Sequence, residues 1–107
     1  MRRVARVVLA ISLLGFALTA PAAEAPKATW LRAKCALCHG EDGSGETPEG
    51  KKRNVPDLRG QATQKLSDAE LTKFIAEGHS RMPSFKVQLT EEQVRALVYY
   101  IRSIVKK

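Results

Sequence analysis

Cysteine, histidine and methionine are scarce in this chain, with two of each among 107 residues, and there is a single tryptophan. Two cysteines cannot build the multi-bridge framework that holds many small exported domains together. A structural zinc site asks for four ligands, and beyond the cysteines only His39, His79 and carboxylates are on offer. The three phenylalanines, two tyrosines and one tryptophan do not alternate with basic residues, and no long basic run occurs, which counts against nucleic-acid binding. The longest apolar run, Val7 to Leu18, has 12 residues, short of the ~20 needed to span a bilayer. There is no internal repeat, no segment reads as a strand, and no Ser/His/Asp set or carboxylate pair suggests hydrolysis.

What is present is ordered like an exported chain. Three arginines in MRRVAR precede the apolar run, and the small residues of TAPAAEA follow it. Basic, apolar, then small is the order of a secretory signal peptide. Ala20 and Ala22 place the cut after residue 22, with Ala23 and Ala25 allowing one as late as 25. Losing residues 1–22 removes three arginines, which leaves 15 basic against 11 acidic side chains over residues 23–107. A single domain of that size buries a small core and often depends on a cofactor or cross-link.

Three helical stretches are expected. The first spans Pro26 to Cys38, with Ala28, Leu31, Cys35 and Cys38 along one face. A glycine-rich segment from His39 to Gln64 follows, long enough that something must hold it if it is ordered. The second helix starts at Ser67, which with Glu70 forms a capping box. It buries Leu71, Phe74 and Ile75 and stops at Gly78. The third starts at Thr90 with Gln93 closing its box, and carries an apolar stripe through Val94, Leu97, Val98, Ile101, Ile104 and Val105. Both starts have a hydrophobic staple, Leu66 with Leu71 and Leu89 with Val94.

The chemistry concentrates in KCALCHG. Cys35, Cys38 and His39 stand at i, i+3 and i+4, so a helix turns all three the same way. Two thiols at that spacing can each add to one vinyl group of a haem, and the following imidazole can reach the iron; this spacing reads as c-type haem attachment. A thioredoxin-like disulfide would ask for a preceding strand in a β-α-β frame, which the pattern does not contain. Zinc lacks ligands, and a plain disulfide leaves His39 without a role.

The segments CALCHG, VPDLRG, GHSRMPSF and LVYYIRSI, in that order, resemble a small class I cytochrome c over nearly the whole mature chain. The resemblance implies an all-α fold, about three main helices around one covalently bound haem c. It implies that Cys35 and Cys38 carry the haem, that His39 and Met82 are the two iron ligands, and that the Pro56 carbonyl accepts a hydrogen bond from His39. It also places Leu31 where the first helix meets the last, against Leu97 and Tyr100. Lys27 stands where the family usually has the glycine of that crossing. Apart from Met1, Met82 is the only methionine; it lies 43 residues after His39 and directly before Pro83. His79 is the rival ligand.

The function expected is electron transfer rather than catalysis: a monomeric periplasmic carrier passing single electrons between redox proteins by transient docking. Lys51, Lys52 and Arg53 would steer it to an acidic surface, and contact with membranes would come only through membrane-bound redox partners. A dedicated electron-transfer subunit of a larger oxidoreductase or terminal oxidase is the alternative, and a small haem peroxidase or ligand sensor the third reading.

Overall fold

The computed structural model describes Gly15 and residues 24–107; the expected signal peptide and its cleavage site lie outside these residues, save Gly15 and the two residues before Pro26. The described chain is helical. The helices are α1 (Pro26–Arg32), α2 (Cys35–His39), α3 (Pro48–Arg53), α4 (Gln61–Gln64), α5 (Asp68–Glu77) and α6 (Glu91–Ser103). Among the described residues no strand forms, and His79 and Met82 pair as an isolated antiparallel bridge. No described helix is long and apolar enough to cross a membrane.

The two best-signalled helices begin where their local chemistry dictates. The Ser67 hydroxyl accepts the Glu70 amide at 3.1 Å while the Glu70 carboxylate accepts the Ser67 amide at 3.0 Å. Thr90 and Gln93 repeat the exchange at 3.1 and 2.8 Å. Each box satisfies two amides that a helix N-terminus otherwise leaves open. The staple residues Leu71, Leu89 and Val94 are buried. Helix α6 is the spine: α1 and α5 both pack on it, and α2 packs on α1 and α3.

The single first helix expected from Pro26 to Cys38 is two helices. Lys34 adopts φ 61° and ψ 24°, a left-handed conformation that is uncommon for a residue with a side chain. The break re-aims the chain, so α1 and α2 do not share a face. It also exchanges two neighbours in the expected packing. Trp30 is buried, 2% exposed, while Leu31 is 44% exposed. The indole, not the leucine, meets α6: its ring lies 5.0 Å from that of Tyr100. Lys27 and Ala28 are exposed, and the fully buried small residue of α1 is Thr29.

The glycine-rich segment is ordered by long-range polar ties. The Thr47 hydroxyl donates to the Cys38 carbonyl at 2.7 Å, and the Gly45 amide to the His39 carbonyl at 2.8 Å. The Tyr100 hydroxyl donates to the Glu41 carbonyl at 2.7 Å. The Gln64 amide group donates to the carbonyls of both Leu58 and Ile101 at 2.8 Å. Within the segment sits α3. Thr47 caps it and Pro48 opens it, a pairing that is itself a helix-start signal.

Candidate functional site

The turn at Lys34 sets Cys35, Cys38 and His39 on the short α2, all three half-buried. Leu37, between the cysteines, points outward and is 62% exposed. The backbone after α2 is anchored by α1, since the Trp30 indole donates to the Gly40 carbonyl at 3.1 Å. The same indole lies 5.7 Å from the His39 ring, tilted by 47°. Trp30 therefore holds both the ring and the chain that follows it.

Met82 arrives from the α5–α6 connection. The His79 amide donates to the Met82 carbonyl at 3.1 Å and the Met82 amide returns the bond at 2.9 Å. Ser80, at φ 53°, makes the turn. Gly78 permits the entry: its φ is +83°, and a Cβ there would sit 2.8 Å from the Met82 carbonyl oxygen. The exit is tied to α5, where the Ser84 hydroxyl donates to the Ala76 carbonyl at 2.6 Å. His79 stacks on Phe74, ring centroids 4.0 Å apart.

These elements enclose two adjoining cavities. One, of about 280 Å³, is walled by Trp30, Pro56, Leu71, Phe74, Ile75 and Leu97 and reaches Cys35, His39, His79 and Met82. The other, of about 310 Å³, reaches Cys35, Leu37, Cys38, His39, Met82 and Pro83. Cys35, His39 and Met82 border both, so the two are halves of one crevice. His79 borders only the first. All four site residues expected from the sequence thus converge on one place, although they come from two stretches of chain far apart in sequence.

The electrostatics of the crevice separate the chemistries that two cysteines allow. Burial pushes the Cys35 thiol up to about 11, whereas redox-exchange motifs depress a thiol to make it a thiolate nucleophile. No disulfide joins the two cysteines. Among the described residues no three His, Cys, Asp or Glu side chains cluster as a metal ion's donor set would. Burial also lowers the His39 pKa, which favours the neutral imidazole, the form that binds a metal. His39 Nδ1 is buried with no hydrogen-bond partner, a state that costs about 1–3 kcal/mol when nothing compensates. The hydrogen bond expected from His39 to the Pro56 carbonyl is not made. Pro56 borders the crevice, but its carbonyl lies against Gly45, 3.4 Å from where a Cβ would stand. An apolar crevice with two thiols at one end, an imidazole and a thioether fits a flat apolar macrocycle that takes covalent links and axial ligands.

The basic cluster is partly neutralised where it stands. Lys51 lies 3.6 Å from Glu46, Lys52 3.9 Å from Glu49 and Arg53 3.7 Å from Glu49. Arg53, which the sequence marks only by its charge, and Arg81, which no motif marks, border both halves of the crevice.

Residues 21–101 match the family described as cytochrome c oxidase, cbb3-type, subunit III. No curated protein matches the chain. Among solved structures, the KustC0563 c-type cytochrome is similar: it is 33% identical, with a TM-score of 0.71, over 78% of this chain and 100% of its own.

Proposed function

From the premise that this chain belongs to the c-type cytochrome family of the cbb3-type oxidase subunit III, we propose that it is a periplasmic single-electron carrier with iron held between His39 and Met82. The chain is a small all-α c-type cytochrome with covalently bound haem c, and its family acts in electron transfer. The convergence of Cys35, Cys38, His39 and Met82 on one apolar crevice supports the ligation and the carrier role.

When bound, the haem supplies an iron that takes up and returns one electron. The residues of this chain do the rest. Cys35 and Cys38 hold the macrocycle by two thioether links. His39, kept neutral by burial and aimed by Trp30, presents a ring nitrogen. Met82 presents its thioether, which sets a higher reduction potential than a second imidazole would. With His39 and Met82 both engaged by the iron, no place would be left for a substrate, which favours a carrier over a peroxidase. The apolar walls exclude water and disfavour the form with more charge. Leu37, exposed beside the thiols, leaves an apolar rim for a transient partner.

A second reading, a dedicated subunit of a terminal oxidase, is favoured by the family match itself. Washing native membranes and periplasm through rising salt separates the two. A carrier comes free as a monomer, because screening weakens a steered contact, while a subunit stays in stoichiometric complex. For ligation the test is the weak sulfur-to-iron band in the far red of the oxidised protein. It is expected in the wild type and in His79→Ala, and absent in Met82→Ala, whose potential falls. A band that survives Met82→Ala overturns the assignment.

A further inference from the structure

Arg53 and Arg81 both border the crevice, and the side chain of each binds a backbone carbonyl of the other's segment. The Arg53 guanidinium donates to the Arg81 carbonyl at 3.2 Å. The Arg81 guanidinium donates to the Lys52 carbonyl at 3.1 Å. Neither acceptor is incidental. Lys52 lies in the last turn of α3, where the amides of Asn54 and Val55 are spent on Gly50 and Lys51. A cation at a helix C-terminus satisfies such a carbonyl and meets the negative end of the helix dipole. Arg81 immediately precedes Met82, and the reciprocal amide bonds of the hairpin engage His79 and Met82, not the Arg81 carbonyl. The two segments joined are also the ones that turn through left-handed residues, Asn54 at φ 54° and Ser80 at φ 53°. Glu49, 3.7 Å from the Arg53 side chain and one turn earlier, holds that guanidinium over the gap.

We infer that Arg53 and Arg81 form a reciprocal strap that ties the Met82 hairpin to α3 and keeps the thioether in the crevice. They are positioning residues for Met82, and the inference rests on Met82 being an iron ligand. The hairpin has few other restraints on this side, because His79, Ser80, Arg81 and Pro83 are all exposed. Opening it withdraws Met82 and admits a small ligand to the iron. The strap opposes that opening with two hydrogen bonds whose donors are charged. It also spends both arginines on backbone carbonyls, so their part at the crevice mouth is mechanical as well as electrostatic.

The test uses the oxidised holoprotein and free imidazole as the probe, following loss of the far-red band. A ligand that binds only the open form gains apparent affinity in proportion to the open fraction. Removing two bonds of this kind should raise that affinity roughly tenfold in the double variant R53Q/R81Q, with each single variant intermediate. The denaturant midpoint of the whole fold should barely move, since both side chains are exposed. The variant R53K/R81K keeps the charge but not the length and direction of the guanidinium Nη1 donor that each bond uses, and it should resemble R53Q/R81Q. Full return to wild-type imidazole affinity in the lysine variant would assign the effect to charge and overturn the strap. So would unchanged affinity in R53Q/R81Q while the wild type shows its band. A wild type that lacks the band overturns the Met82 assignment, and the strap with it.

Discussion

Trp30→Ala removes the largest fully buried side chain, which is 2% exposed and touches both α6 and the His39 ring. Three losses coincide. The apolar contact with Tyr100 goes, a cavity opens beside His39, and the Gly40 carbonyl loses its indole donor. Truncating a buried aromatic costs about 3–5 kcal/mol. For a domain of this size each kcal/mol lowers the melting midpoint by roughly 4–8 °C, so a fall on the order of 20 °C is expected, followed by circular dichroism of the holoprotein. Trp30→Phe keeps most of the apolar volume and gives up the donor, which should cost about 1–2 kcal/mol. Leu31→Ala is the counterpart. At 44% exposure it should cost under ~1 kcal/mol. Stability should fall most in Trp30→Ala, less in Trp30→Phe and least in Leu31→Ala. A Leu31→Ala variant as damaged as Trp30→Ala would refute the placement of α1 and restore the packing that the family resemblance implies.

Two further outcomes follow from local geometry. A Cβ on Gly50 would press on the carbonyl oxygens of Cys38 and Gly45, both backbone, so Gly50→Ala should cost about 2 kcal/mol or more and lower the yield of haem-loaded protein; an unchanged denaturant midpoint would refute the tight seat of α3 on α2. The Arg59 guanidinium holds Asp57 at about 2, below the ordinary aspartate value of 3.8. Because the folded value is the lower one, that stability is present above pH ~3.8 and is lost as pH falls toward 2. Asp57 is partly exposed, so the effect is modest, and Asp57→Asn should flatten the stability profile over that window; parallel acid limbs for the variant and the wild type would refute it.

The parts of this protein legible in the sequence are those whose causes lie within a few residues. Ser67 with Glu70 and Thr90 with Gln93 fix where α5 and α6 begin, because the bonds involved close over three residues. The Cys35, Cys38, His39 spacing carries its chemistry in the same local way, and Met82 stands out by being alone beside Pro83. Even α3 was announced by Thr47 and Pro48, although its six residues are too few to show an apolar period.

The remainder was decided by contacts between distant segments. Lys34 has no intrinsic preference for φ 61°; the break is there because α1 must lie on α6 while α2 must turn its thiols and imidazole into the crevice. Which of Trp30 and Leu31 faces inward depends on that break, since adjacent residues on a helix differ by about 100° and only the rotation of the whole element selects between them. The exchange between Arg53 and Arg81 joins backbone carbonyls 28 and 29 residues from their donors. No side-chain pattern marks a carbonyl as an acceptor, so that pairing exists only once the chain has folded.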